Sequence, residues 1–391
     1  MTSRERMLAA ISCEPVDYIP CSFMIFYNMM TRCASHAEFV ERQVEMGLDP
    51  FSHAGYLKPA MHPAVTEKIW HEQEGGETII CRRLDTPKGA LTQRVAQMNG
   101  WPTQDNFWIY HDWAVPRSRE VLVKPEQDLE KLPYLLGPFK DEDIRTLRES
   151  AKANNALADR FGLLRAGGWG SSYAEALGDD GVMGADAMSW LSGYVDVMEL
   201  SLTEPEIVRE YARIIHEWNM RAIGIYLDVA DPDIVIRRAW YETTEFWTPG
   251  AYREIILPFL TREVEMVHQA GKKFGYIITS AFGPLLDDIL SSGIDVLIGL
   301  DPEEGKGTDL AEVKAKFKAH NRAIWGGVSG AITVEQDTEA ATEAAVVRAL
   351  TLGTGGGFIL SPVDNVRDDT PNAWKNTEKF VEVWKRERGK F

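Results

Sequence analysis

Residues 274–300 read FGYIITSAFGPLLDDILSSGIDVLIGL, and this stretch decides the fold. It contains an apolar run at 274–279, a proline-led segment at 284–292 and a second apolar run at 294–300. Strands of a parallel sheet are buried on both faces, so they read as continuous apolar runs separated by helices. The stretch therefore predicts a strand, a helix and a second strand parallel to the first.

The same alternation continues on both sides, from about residue 141 to the end of the chain. Further strands are predicted at 163–169, 233–241, 323–328 and 357–360, and helices at 141–160, about 182–200, 204–228, 248–270, 309–320, 334–352 and after Thr370. Repeated strand–helix units indicate a parallel sheet covered by helices. Glycine-rich strand ends favour a closed barrel, and the dinucleotide fingerprint GxGxxG is absent. We therefore predict an α/β fold, a (β/α)8 TIM-like barrel.

The first 140 residues are less regular and predict an insertion. The apolar run CSFMIFY at 21–27 predicts a buried strand, and a helix is expected at 36–46. Residues 77–98 predict a β-hairpin with its turn at 86–89. We expect residues about 50–135 to form this insertion, as a surface flap or a substrate-covering lid, on a single domain spanning 1–391.

Composition limits the classes of partner. The chain is 45% hydrophobic and 26% charged, which is typical of a globular protein, and its formal net charge is -17. Such acidity argues against nucleic-acid or membrane binding and against a highly anionic substrate. The four cysteines form no CxxC pair, and the first 20 residues lack the apolar core of a signal peptide, which together predict a cytoplasmic protein.

Several phrases in order resemble one known family. They are RERMLAAISCEPVDYIP (4–20), TPGAYREIILPFL (248–260), VHQAGKKFGYI (267–277), SSGIDVLIGLDP (291–302), IWGGVSG (324–330) and GGGFILSPVDNVRDDTP (355–371). Together they resemble the uroporphyrinogen decarboxylase superfamily. The resemblance implies a barrel fold and one of two chemistries, decarboxylation of the acetate arms of uroporphyrinogen or methyl transfer with a corrinoid cofactor, which is often assisted by zinc.

The chain departs from both patterns. The decarboxylases carry paired arginines just after the first strand, whereas residues 26–30 here are FYNMM and the next arginine is Arg32. The zinc methyltransferases carry a His-x-Cys and a later Cys, and the matching positions here are Ile277, Thr279 and Asp364. These departures argue against uroporphyrinogen as the substrate and against a bound zinc ion.

The chemistry of such barrels lies at the C-terminal ends of the strands, where this chain carries many aromatic and hydroxyl groups. They suit a flat, mostly apolar ligand with one or two oxygens. Arg237 and Arg238 cannot both face inward, because side chains alternate along a strand, and one of them is expected to hold a substrate carboxylate. The candidate substrate-binding residues are Tyr27, Asn28, Trp169, Arg237, Trp240, Tyr276, Thr279, Ser280, Asp301 and Trp325.

The candidate catalytic residues are Glu242, Tyr241 and Asp364. Glu242 follows a strand among aromatic residues, where desolvation would raise its pKa and make it a general acid; an ion pair with a neighbouring arginine is the alternative. Asp364 stands at the position of the missing zinc ligand or forms an Asx turn, and Tyr241 is a hydrogen-bond donor or a core residue. In the insertion, His111 and Asp112 form an acid/base pair or a plain surface pair.

Two enzymatic hypotheses follow. The first is a corrinoid-dependent methyltransferase that demethylates an O-methyl donor, an aryl methyl ether. The corrinoid is then carried by a separate corrinoid-binding protein, because no DxHxxG signature is present. The alternative is a decarboxylase of a small aromatic acid other than uroporphyrinogen, and a non-enzymatic binding barrel is a third reading. The resemblance also implies a possible homodimer.

Overall fold

The computed structural model describes residues 1–97, 109–110, 112, 114–169, 181–304 and 309–390. Its main sheet is parallel and curls into a barrel. In spatial order its strands are β1 (Phe51–His53), β6 (Leu164–Gly168), β8 (Ile234–Arg238), β9 (Lys273–Ile277), β10 (Val296–Leu300), β11 (Ala323–Ser329) and β12 (Phe358–Val363), and β7 (Val182–Met183) pairs with the end of β8. The predicted α/β, TIM-like architecture is confirmed.

Cys21 closes the barrel between the last strand and the first. This residue forms a parallel bridge with Leu360 of β12, and its carbonyl accepts a 2.7 Å hydrogen bond from the backbone N–H of Asp49, just before β1. The prediction of a strand over 21–27 is wrong, because only Cys21 pairs and Tyr27 begins a short helix. The run is apolar because it is buried on both sides, and the Ser361 hydroxyl accepts from the Met24 N–H where a strand partner would stand.

Helices surround the barrel in the predicted order. They are α1 (Ser3–Ile11), α2 (Tyr27–Met30), α3 (His36–Glu45), α4 (Pro125–Asp128), α5 (Leu132–Leu135), α6 (Asp141–Phe161), α7 (Asp186–Ser192), α8 (Tyr194–Thr203), α9 (Pro205–Val229), α10 (Pro249–Ala251), α11 (Leu257–Gln269), α12 (Leu286–Ser291), α13 (Leu310–Ala319), α14 (Glu339–Gly353) and α15 (Pro371–Glu387), and a π-helical turn at Tyr252–Ile256 joins α10 to α11. The helix predicted at about 182–200 is broken, because Gly193, with a φ of 72°, separates α7 from α8. None of the described helices combines the length and apolar character needed to cross a membrane.

Threonine caps start two of these helices as the sequence predicts. The Thr370 hydroxyl accepts a 3.2 Å hydrogen bond from the Ala373 N–H, and Pro371 occupies the first turn of α15, where its missing N–H costs nothing. Thr248 caps the N–H of Ala251 in the same way at 3.1 Å. Such caps satisfy N–H groups that have no partner within the helix, so they fix where each helix begins.

A second sheet lies in the insertion. It is antiparallel, with strands β2 (Thr66–Glu74), β3 (Glu77–Thr86), β4 (Gly89–Ala96) and β5 (Ser118–Glu120) in that order. The predicted hairpin is β3 and β4, and its turn lies where the sequence places it. Strand β2 was not predicted, because its TEKIWHEQE sequence is mostly exposed and shows no apolar alternation. The lid role and the single-domain reading stay predictions.

Candidate active site

A pocket opens at the C-terminal end of the barrel, where such folds carry their chemistry. The space between its walls has room for about one water molecule. Four of the predicted site residues meet here, although they come from four different strands. The lining residues are Met24, Ile25, Trp240, Ile277, Thr279, Ile298, Gly299, Trp325, Ser361, Pro362, Val363 and Asp364.

Two tryptophans give the pocket its aromatic character. Trp325 is fully buried, and its indole N–H donates a 2.7 Å hydrogen bond to the Ser22 carbonyl, so the ring offers only its apolar surface. Trp240 is partly exposed and meets Trp169 edge to face, with ring centroids 5.0 Å apart. The indole N–H groups of Trp240 and Trp169 have no hydrogen-bond partner among the described residues. An aromatic ligand that carries an acceptor atom fits between these groups only if the two indoles that line the pocket move apart.

Asp364 brings a carboxyl group into this pocket. It follows β12 and lines the pocket, and its side chain is exposed. Desolvation by the neighbouring protein raises the pKa of Asp364 to about 6, against the opposing effect of the positive charges on Arg367 and Arg238. No described residue hydrogen-bonds its carboxyl, so the side chain does not form an Asx turn. A carboxyl of this pKa can act as a general acid close to neutral pH.

The alternation of side chains along β8 decides which arginine faces the pocket. Ile234 and Ile236 pack inside the barrel, whereas Val235 packs against the helices. Arg237 therefore points outward and Arg238 inward. Arg237, which the sequence predicted to bind substrate, thus faces the helices, and Arg238 is the arginine on the side of the barrel interior. The sequence could not show which of the two arginines faces inward, because every residue of this strand is buried.

Arg238 lies between aromatic rings and carboxylates beside the pocket. Its guanidinium carbon is 4.1 Å from the ring centroid of Trp240 and 4.5 Å from that of Trp190. One of its terminal nitrogens is 2.9 Å from the carboxylate of Asp112, and Nε is 3.5 Å from that of Asp186. Only 5% of the Arg238 side chain is exposed. A buried guanidinium with these neighbours can recognise a carboxylate in a ligand.

Asp112 comes from the insertion and was not predicted to reach this site. It accepts hydrogen bonds from the Tyr241 hydroxyl, at 2.8 Å, and from the Trp190 indole. Burial would raise its pKa, but the Arg238 charge and these hydrogen bonds outweigh burial and lower the pKa of Asp112. Burial and the Asp112 charge raise the pKa of Tyr241. Tyr241 is thus a positioned donor, while the predicted partner His111 lies outside the described residues.

Asp186 is the second carboxyl that the sequence did not indicate. It begins α7, is completely buried, and accepts a 3.1 Å hydrogen bond from the Tyr241 N–H. Burial raises the pKa of Asp186 to about 6, although the charge of Arg238 opposes the shift. Only the fold shows its role, because 54 residues of chain separate it from Tyr241 and its own neighbours are apolar or small.

Glu242 belongs to a different cluster, behind β8. It is completely buried and forms an ion pair with Arg237, which also contacts Glu263 at 2.9 Å. The Tyr276 hydroxyl donates to Glu242 at 2.5 Å, and the Ala185 N–H donates at 2.8 Å. The ion-pair alternative for Glu242 is the arrangement found. Glu242 and Tyr276 therefore lie between β8 and the helices, outside the barrel mouth.

The remaining predicted residues contact protein rather than the pocket. The Asn28 side chain donates a 3.0 Å hydrogen bond to the Asp368 carbonyl, and the Tyr27 N–H lies 3.4 Å from the Asn365 side chain. Asp301 accepts from the N–H groups of the two residues after Pro302, at 2.8 and 2.9 Å, which shapes a turn. The Ser280 hydroxyl lies 3.3 Å from the Glu245 carboxylate.

The resemblance indicates three positions for metal ligands. They hold Ile277, Thr279 and Asp364, of which only the last is a common metal ligand. In the part of the chain that the structure describes, no group of three or more His, Cys, Asp or Glu side chains is arranged to hold a metal ion. The donor set does not fit a zinc ion of the usual design.

A parallel barrel with a polar, tryptophan-lined mouth defines the structural class of the chain. The sequence profile described as uroporphyrinogen decarboxylase (URO-D) matches residues 185–386, just over half of the chain. The protein belongs to the uroporphyrinogen decarboxylase family, as a divergent member. A search of curated proteins gave no match.

Two solved structures of enzymes are similar. A methyltransferase from Methanosarcina mazei has a TM-score of 0.62 at 15% identity, with 99% of each chain covered. A B12-independent methionine synthase from Shewanella sp. W3-18-1, in complex with selenomethionine, has a TM-score of 0.43 at 10% identity, covering 95% of this chain and 98% of that one. At these identities the first similarity supports the fold alone.

Proposed function

We propose that this protein is a methyltransferase that removes the methyl group of an O-methyl aromatic donor, with Asp364 as the general acid for the departing oxygen. The observation that carries the proposal is the position of the Asp364 carboxyl, which has no hydrogen-bond partner among the described residues, at the edge of a pocket walled by Trp240 and Trp325. Family membership and the methyltransferase fold neighbour are consistent with it.

The residues of the pocket have separate roles in the proposed reaction. The rings of Trp240 and Trp325 hold the flat part of the donor, and the apolar side chains around them exclude water. When the methyl carbon leaves, negative charge develops on the ether oxygen, and a proton placed there lowers the barrier. With a pKa of about 6, roughly a tenth of Asp364 is protonated at neutral pH. That fraction is sufficient for acid catalysis.

The methyl acceptor in this proposal is a reduced corrinoid carried by a separate corrinoid-binding protein, which supplies the nucleophile. The accessible side of Asp364 is the side on which such a partner would approach, because the pocket opens at the C-terminal end of the barrel. No step is assigned to zinc, because Ile277 and Thr279 offer it neither a thiolate nor an imidazole.

Arg238 favours a second candidate, a carboxy-lyase acting on a small aromatic acid. The guanidinium lies over the ring of Trp240, which lines the pocket, so a substrate carboxylate could be held there. A carboxylate held firmly by arginine is stabilised as the anion, however, and this opposes loss of carbon dioxide. The lyase reading therefore comes second, and measured carbon dioxide release is what would favour it.

The test is a methyl-transfer assay. The purified protein is mixed with reduced cobalamin, or with a corrinoid-binding protein, and a panel of methoxylated aromatics, and methylation of the corrinoid is followed by visible absorbance. We expect turnover with some donors and a loss of about 100-fold or more in Asp364→Asn. Asp368→Asn, an exposed carboxyl of the same loop, is the matched control and should keep full activity. Release of carbon dioxide from aromatic acids without any methyl transfer would replace the proposal with the lyase.

A further inference from the structure

We propose that Arg238 is the carboxylate-recognition residue of this pocket, so that the aromatic donor carries a carboxylate, and that Asp112 occupies the place of that carboxylate in this structure. The inference rests on the proposed function for the identity of the reaction. Its binding part stands on the geometry around Arg238 and is tested without turnover.

The hydrogen bonding of Arg238 is far from complete. A guanidinium has five N–H donors, and a buried one normally uses most of them. Among the described residues Arg238 donates a single hydrogen bond, to Asp112 at 2.9 Å, and its buried Nε has no hydrogen-bond partner. The group therefore has donors to spare in a position that is 5% exposed. Unused donors of this kind point to a ligand that completes them.

Of the two carboxylates near Arg238, Asp112 is the one that a ligand can replace. Its side chain is 45% exposed and belongs to the insertion, whereas Asp186 is fully buried at the start of α7. A free carboxylate can accept two parallel hydrogen bonds from one guanidinium, which exceeds the single bond that Asp112 accepts from it. A ligand carboxylate can thus displace Asp112 and still leave Arg238 neutralised.

The surrounding rings fit an aromatic acid. Trp240 lies under the guanidinium and also lines the pocket, so a ligand ring in the pocket and a carboxylate on Arg238 both contact the same indole. Asp364 lines the same pocket, and its pKa responds to the charges of both Arg238 and Asp112. Because Arg238 contacts the Trp240 ring and Asp364 lines the pocket with that ring, we expect one small molecule to meet the arginine with its carboxylate and the general acid with its ether oxygen.

The experiment measures binding in the absence of any methyl acceptor. The probes are 4-methoxybenzoate and its neutral isostere 4-methoxybenzamide, and the readouts are calorimetry and quenching of tryptophan fluorescence. We expect the benzoate to bind at least tenfold more tightly than the amide. Arg238→Gln should abolish this preference, whereas Arg262→Gln, which removes an exposed charge from α11, should keep it. Asp112→Asn should tighten benzoate binding several-fold, because the competing carboxylate is gone.

Equal affinity for the two probes, or no binding of the benzoate, would overturn the inference. If Arg238→Gln does not fold, the test compares the binding of the two probes to the native protein and to Asp112→Asn. An unchanged or weaker benzoate affinity in Asp112→Asn would then contradict the inference. Benzoate binding through Arg238 without demethylation would reject the proposed function and keep this inference. Demethylation of neutral donors alone would keep the proposed function and reject this inference.

Discussion

Replacing Glu242 by Gln tests whether this residue is structural or catalytic. The substitution keeps the shape of the side chain and removes its charge. Glu242 is completely buried and holds Arg237, the Tyr276 hydroxyl and the Ala185 N–H, so the variant leaves a buried guanidinium with Glu263 as its remaining carboxylate partner. Breaking a buried ion pair from one side costs about 3–5 kcal/mol, and we take the lower end because Glu263 remains.

The size of the effect follows from the length of the chain. Unfolding entropy is about 2.1 cal/mol/K per residue, so for 391 residues a loss of about 3 kcal/mol lowers the melting temperature by about 4 °C. The matched control is Glu210→Gln, which breaks an exposed ion pair with Arg213 and should cost under about 0.5 kcal/mol. The assay is thermal unfolding of the three proteins, followed by circular dichroism and by calorimetry.

The result that refutes this reasoning is specific. If Glu242→Gln has the same melting temperature as Glu210→Gln but loses methyl-transfer activity, then the Glu242 carboxyl acts in the reaction despite its burial behind β8. If the variant melts about 4 °C lower and keeps activity at low temperature, the ion pair with Arg237 is structural.

The remaining predictions concern the two carboxyls with raised pKa values. For Asp364, acid catalysis requires the protonated form, so we expect the methyl-transfer rate to fall as pH rises through about 6, by about tenfold per unit beyond it. A flat profile from about pH 5 to about pH 8 would exclude Asp364 as the acid. For Asp186, the folded-state pKa of about 6 lies above the ordinary 3.8, so the folded protein holds the proton longer as pH rises. Its contribution to stability is therefore complete below the ordinary value and falls by up to about 3 kcal/mol between the two values. Denaturation at several pH values should show a decline that is smaller by about this amount in Asp186→Asn than in the native protein, because Asp364 titrates over the same range in both.

Part of the site could be predicted because parallel strands end at the same edge of a barrel. Trp240, Thr279 and Asp364 lie at or after the ends of apolar runs and Trp325 lies within one, so their convergence needed only the strand order. Asp112 could not be predicted in the same way. Its contact with Arg238 crosses 126 positions in the sequence and depends on how the insertion packs against the barrel. No local pattern encodes such a contact.

The sequence by itself determined the fold class, since the order of apolar runs, proline-led helices and glycine turns admits few arrangements other than a parallel barrel. Tertiary structure alone decided between Arg237 and Arg238. The strand Ile234–Arg238 is buried on both faces, so it has no polar side from which the direction of a side chain could be read. Burial behind the same strand makes Glu242 a partner of Arg237, whereas Asp364 lines the pocket at the open end of the barrel.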